Sequence, residues 1–138
     1  MGTAAGGRLG QVVAAGESYR GKHGLAYTPG VSAESVGSQH LWLESVVIPP
    51  GSRTKAHVHE SHESAFYLIA GEEVELSTGE RLEHKSAAHP GDYLYIPAGV
   101  PHAAVNRTAT PADAVGARTD PSEQESVVLR PELDSRVP

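Results

Sequence analysis

Between Gly51 and Asn106 the chain carries two sets of residues at fixed spacing, and they limit its fold more than any other feature. The first set is Gly51, His57, His59 and Glu63, running on to Gly71; the second is Gly91, Pro97, Gly99, His102 and Asn106. His57 and His59 stand two apart, so on a strand the pleat points both imidazoles to one face. His102 arrives from a distant segment. Three imidazoles and a carboxylate converging from separate strands make a transition-metal site. The glycines and prolines around them punctuate short strands.

The rest of the pattern agrees. Residues 41–48 read as a strand stopped by Pro49-Pro50-Gly51, because proline cannot donate to a ladder. Residues 54–59, 65–70, 73–76, 92–96 and 102–105 read as further strands, with 115–118 and 126–130 as fainter ones. Tyr27-Thr28-Pro29-Gly30 and Ser77-Thr78-Gly79-Glu80 carry turn signals. No segment of ten or more residues keeps a 3.6-residue period. With 38% hydrophobic residues, 15 Gly and 10 Pro, the expectation is an all-β barrel or double-sheet jelly roll, with helix below about one tenth.

The two motifs resemble the signature motifs of the cupin family, a superfamily of small β-barrels. Gly91, Pro97, Gly99, His102 and Asn106 match the second motif at every specified position. Gly51, His57, His59 and Glu63 match the first, but Gly71 follows Glu63 one residue later than the family pattern has it. The resemblance implies a single double-stranded β-helix (jelly-roll) cupin barrel. Residues 19–138 are expected to form that domain, with the motif core at 51–106, behind a flexible Gly/Ala-rich segment at 1–18.

Several classes of function are disfavoured. A net charge of −6 with scattered basic residues argues against a nucleic-acid partner. No apolar run is long enough to span a membrane, and no signal peptide is evident, so a cytoplasmic protein is expected. Without cysteine, any metal must be held by imidazole, carboxylate and water. No serine sits in a Gly-x-Ser-x-Gly elbow, and no phosphate-cradling glycine loop appears. Whatever chemistry occurs must centre on a metal.

The expected ligands are His57, His59, Glu63 and His102, holding one divalent transition metal: Fe, Zn, Mn, Ni or Cu. Counting forward from His59 favours Glu63. Counting backward from Gly71 puts Ser64 at the carboxylate position, and strand parity then aims His62, Ser64 and Phe66 inward together. On that count His62 competes with Glu63 as the fourth ligand. His23, His40, His84 and His89 read as solvated, Trp42, Phe66, Tyr67, Tyr93 and Tyr95 as core or barrel wall, and Asn106 as a turn residue. Binding is expected to fade as pH drops through roughly 6, where free imidazole takes up a proton.

The resemblance implies a metal-dependent enzyme on a small organic substrate, of dioxygenase, isomerase or polyketide-cyclase type. The alternative is a non-catalytic small-molecule binding or sensing barrel. An inward ionisable residue beside the ligands would favour the enzyme. A homodimer is expected, because a terminal strand at 125–133 lies beyond the motif core and an open edge invites pairing.

Overall fold

In the computed structural model, which describes residues 9–123 and 126–138, strands follow one another with little else between them. They are β1 (Tyr19–Arg20), β2 (Ala26–Val31), β3 (Trp42–Ile48), β4 (Ser52–Arg53), β5 (His57–His59) and β6 (Ser64–Ala70). Then come β7 (Val74–Thr78), β8 (His84–Ala88), β9 (Tyr93–Ile96), β10 (His102–Asn106), β11 (Ala112–Arg118) and β12 (Val127–Leu129). Helix among the described residues is limited to a four-residue turn, α1 (Ala33–Val36), and a six-residue 3-10 segment, Pro131–Arg136. Of the segment expected at 1–18, residues 1–8 lie outside the described residues, as does Glu125 at the start of the terminal strand expected at 125–133.

Two antiparallel sheets face each other. The first has the order β1-β2-β3-β11-β6-β9; the second has β12-β5-β10-β7-β8, with β4 on β10. From β5 onward the chain crosses between the sheets at every step except the β7–β8 hairpin, giving the jelly roll. Inward positions follow strict parity: Trp42, Val46 and Ile48 on β3, Leu68 on β6, Leu94 and Ile96 on β9, Ala112 and Ala114 on β11 are all buried. The main core lies between the sheets and is closed by Leu25, Val74 and Ala88.

A second apolar cluster sits on the outer face of the second sheet. Ala103 and Val105 alternate with the inward residues of β10, and Leu133 and Val137 from the C-terminal segment cover them together with Ala56 and Leu82. The Asp134 carboxylate accepts the Ala56 N–H at 2.8 Å, and the Arg130 N–H donates to the Ala56 carbonyl at 2.8 Å. The segment just ahead of His57 is thereby tied down. No apolar period marks a six-residue 3-10 segment, so the sequence pattern did not reveal it.

Three expectations need correction. Tyr27-Thr28-Pro29-Gly30 is no turn but the body of β2, paired with β3 from Tyr27↔Val46 to Val31↔Leu43. β1 reaches only as far as Tyr27, so Pro29 lies where the other edge is open and its missing N–H breaks no ladder bond; the register shifts between Pro29 and Val31. Likewise Ser77 and Thr78 extend β7 against Lys85 and His84, and the reversal falls at Gly79, whose φ of 112° suits glycine. Asn106 does more than follow a strand. It is fully buried, its side-chain amide donates to the Ile48 and Thr110 carbonyls, and its Oδ1 accepts from the Thr108 N–H and hydroxyl.

Candidate metal centre

β5 and β10 are adjacent in the second sheet, with His102 directly across from His57. Pleat parity sends His57, His59 and His102 into the barrel, where all three are buried. One nitrogen from each lies within 4.8 Å of the others. Ring centroids are 4.2 Å apart for His57 and His102, 4.9 Å for His57 and His59, and 5.1 Å for His59 and His102.

Backbone carbonyls orient two of the rings. His57 Nδ1 lies 2.6 Å from the Lys55 carbonyl oxygen, and His102 Nδ1 lies 3.0 Å from that of Val100. A carbonyl only accepts, so each Nδ1 carries the proton and each Nε2 turns its lone pair inward. Burial, with the His102 imidazole next in weight, lowers the His57 pKa from 6.5 to about 2. A neutral imidazole with its lone pair directed at two others is the state a metal ion requires. The donor set fits a divalent transition ion.

The two candidates for a fourth ligand part company. Glu63 is exposed, and its carboxylate accepts a 2.7 Å hydrogen bond from the Tyr95 hydroxyl on the outer face. Its N–H donates to Thr119 Oγ1, and its carbonyl accepts from the Thr119 N–H. His62 is buried, with its ring 4.7 Å from that of His59 and Nδ1 3.8 Å from Asp120 Oδ2. Neither joins the three-donor group. Ser64 is buried and lines the same cavity as the three imidazoles. The inward pleat of β6 thus begins at Ser64, as the backward count from Gly71 implies. Gly71 itself cannot be replaced freely: its φ is 120°, and an added Cβ would lie 2.9 Å from both Ala112 Cα and the Pro111 carbonyl oxygen.

The imidazoles form part of the wall of an interior cavity, about 90 Å³ for the centres of water-sized atoms, enough for several waters or a small organic molecule. Its lining is mostly aliphatic and aromatic. Two charged residues interrupt it, Glu44 on β3 and Arg118 on β11. Trp42, read from sequence as barrel wall, joins them: its Nε1–H donates to Glu44 Oε1 at 2.8 Å, and the Arg118 guanidinium lies 3.7 Å from its ring centroid.

His23 also lines the cavity, its ring 5.6 Å from that of His57, so the solvated reading fails for this residue. The β1–β2 connection brings it there, a placement with no local signal. The Leu25 N–H donates to its Nδ1 at 3.2 Å. In the neutral ring the proton therefore sits on Nε2, the reverse of the arrangement in His57 and His102. His40, His84 and His89 are exposed as expected.

The Cupin domain family description matches residues 44–116, which include His57, His59 and His102. The chain belongs to the cupin family. Among curated relatives of this cupin, the uncharacterized protein MJ1618 of Methanocaldococcus jannaschii is 33% identical over 60 residues, 44% of this chain and 45% of that one. Quercetin 2,3-dioxygenase of Bacillus subtilis is 33% identical over 54 residues, 39% of this chain and 15% of the enzyme. The chain thus spans less than half the length of either relative. Among solved structures, recombinant oxalate oxidase in complex with glycolate superposes with a TM-score of 0.67 at 19% identity, covering 88% of this cupin and 62% of that chain. That likeness speaks for the fold.

Proposed function

We propose that this cupin is a metal-dependent enzyme acting on a small organic molecule held inside the barrel, with oxygenase chemistry favoured over isomerase or cyclase chemistry. The observation that carries the reading is that the three imidazoles open onto an interior, largely apolar cavity, with no fourth donor joining them among the described residues. Three imidazoles leave positions for a substrate and water, the arrangement expected of a working site and not of a structural one. A bound divalent ion would polarise a chelated substrate oxygen or, if redox-active, support reaction with O2.

This chain's own residues would do the rest. His57, His59 and His102 hold the ion, and the Lys55 and Val100 carbonyls keep two of the rings in register. His62 stands behind His59 and supports it, while Glu63 serves the outer surface through Tyr95. The aliphatic lining excludes water from the bound molecule. Glu44 supplies the inward ionisable group that proton transfer needs. The dioxygenase relative supports the oxygenase form.

The test is metal analysis of protein purified without added metal, followed by oxygen uptake and product detection on Fe(II)-loaded protein with a panel of small hydroxyketones and catechols. Oxygen uptake with an oxidised product supports the reading. Tight binding without turnover would replace it by a non-catalytic binding function, and a protein that takes up no metal would remove it.

We also propose a homodimer. β12 is the outermost strand of its sheet and pairs only with β5 among the described residues. The outer face of the first sheet exposes Leu43, Val47, Ile69, Tyr93 and Tyr95, an apolar surface that a second copy would cover.

A further inference from the structure

Ser64 opens β6 on the inner side of the pleat, followed at two-residue steps by Phe66 and Leu68. It is 5% exposed and lines the cavity together with the three imidazoles. Its hydroxyl makes no hydrogen bond with another described residue, whereas the other polar side chains on the cavity wall all have partners. Thr54, the second hydroxyl there, accepts the Ala104 N–H at 2.9 Å. A buried hydroxyl without a partner costs free energy, so its presence calls for a reason. Protein atoms do not seal the Ser64 oxygen either. With the side chain on the inner pleat, its open side is the cavity.

The chain places Ser64 at the imidazole end of the first sheet. β5 ends at His59, and residues 60–63 lead directly into Ser64. Within that turn the His62 ring stands 4.7 Å from the His59 ring. A second crossing between the sheets runs beside the first. Ser64 pairs with Ile96 at the end of β9, and three residues further on the Gly99 N–H donates to the His59 carbonyl at 2.8 Å. β10 then opens with His102. Ser64 therefore faces the histidines from the opposite sheet, with Phe66 and Leu68 farther along the strand.

The charge of the site indicates what such a hydroxyl would meet. Imidazole binds an ion in its neutral form, so a divalent ion held by His57, His59 and His102 keeps both its charges. No carboxylate joins the three donors among the described residues. Glu44 and Arg118 bring one charge of each sign to the wall. In a largely apolar cavity an ion in that state favours an anion as its next ligand. Anionic oxygens also accept the strongest hydrogen bonds, and a serine hydroxyl can donate one.

We propose that Ser64 is a ligand-binding residue whose hydroxyl donates to the anionic oxygen that a small organic ligand (a carboxylate, enolate or catecholate) presents to the ion. The proposal rests on the reading of the cavity as the substrate site. It adds the charge of the group recognised and the residue that recognises it. A neutral head group of the same shape would leave the ion's charge unbalanced and offer Ser64 a weaker acceptor.

Isothermal titration of the Co(II)-loaded protein with pentanoate and pentanamide tests this, since the two share a shape and differ in head-group charge. The parent protein should bind pentanoate at least about tenfold tighter than pentanamide. Ser64→Ala should lose about tenfold or more in pentanoate affinity, the scale of a hydrogen bond to a charged acceptor. Its pentanamide affinity should change by less than about threefold, with Co(II) stoichiometry unchanged. Ser64→Thr, which keeps the hydroxyl, should retain most of the pentanoate affinity. The urea midpoint of metal-free Ser64→Ala should be no lower than the parent's, because the hydroxyl removed has no protein partner. A lower midpoint, or an unchanged pentanoate affinity in Ser64→Ala, overturns the role of Ser64. Equal binding of the two probes by the parent overturns the anionic class. Each of these results leaves the cavity reading intact. If Co(II) binds and neither probe does, the cavity reading falls, and the role of Ser64 with it.

Discussion

A Cβ placed on Gly116 would collide with the Phe66 ring at Cε2, and the two residues face each other directly across β11 and β6. The aromatic ring occupies the space that every other residue type would claim, and both line the cavity. Gly116 has no positive φ to justify it, so the reason for glycine here is room alone. Gly116→Ala should destabilise the fold by about 1–3 kcal/mol, the usual penalty for overpacking a filled site. Urea unfolding checks this, and Phe66→Leu in the same chain should recover part of the loss. A lone Gly116→Ala as stable as the parent would show that the ring moves aside freely.

The three-imidazole centre predicts an ordering of metal losses. His57→Ala and His102→Ala each remove one of three converging donors, and metal content after dialysis should collapse while the far-UV circular dichroism stays that of a β protein. Glu63→Ala should leave metal content unchanged, because its carboxylate bonds Tyr95 on the outer face. His62→Ala removes the neighbour of His59 and should weaken binding by up to about 10-fold, the lower end of effects seen for residues behind a ligand. Elemental analysis of the four proteins is enough. A strong loss in Glu63→Ala would restore the forward count from His59.

The barrel was legible in the sequence because its strands are short, its period is 2 and its breaks are Gly and Pro. β3 and β9 fall within a residue or so of their expected bounds. The convergence of His57, His59 and His102 follows from spacing, since parity fixes a face once a strand is assigned. What spacing could not fix was the pleat between His59 and Ser64, where a turn of uncertain length decides whether Glu63 or its neighbours point inward. His23 and Glu44 were also missed. Both are brought to the cavity by β1, β2 and β3, which lie before the first motif, and their roles depend on sheet order, which local pattern does not carry. Parity along β3 did hold a clue: Glu44 is the single charged residue in the stripe of Trp42, Val46 and Ile48.

The C-terminal segment should behave as part of the centre's scaffold. Leu133 is buried against Ala103 and Val105, and its neighbour Asp134 holds the Ala56 N–H one residue before His57. Leu133→Ala should lower stability by about 2 kcal/mol or more, from lost burial and the cavity left behind. Asp134→Ala should raise amide exchange at Ala56, read by NMR. Unchanged protection there would mean that β5 is held by its strand partners alone.

Self-association should be visible in solution. Light scattering at micromolar concentration should give twice the 14.5 kDa chain mass. Charged substitutions at Val47 and Tyr93 on the outer face of the first sheet should return a monomer if that face carries the contact. A wild-type mass of one chain would remove the dimer.

Stability should fall with pH in a window set by His57. In the folded protein its pKa is lowered to about 2, mainly by burial and then by His102, while the unfolded chain keeps the ordinary value of 6.5. Above 6.5 both states carry a neutral ring and His57 adds no pH dependence. Below 6.5 the unfolded state takes up a proton that the folded state refuses, so the unfolded side gains as pH falls. The slope from this one group approaches about 1.4 kcal/mol per pH unit and continues down toward pH 2. The metal-free protein should therefore show a urea midpoint that drops steadily from pH 6.5 to 4.5. His57→Asn, which has no ring to titrate, should flatten that slope by close to one proton's worth. The same depressed value alters the sequence-based expectation that metal is lost through roughly pH 6. At His57 the folded protein offers the ion a neutral ring well below that pH, so proton competition at this ligand begins later than for a free imidazole. A midpoint that stays constant from pH 6.5 to 4.5 in the parent would show that His57 is more open to water, and more easily protonated, than its burial implies.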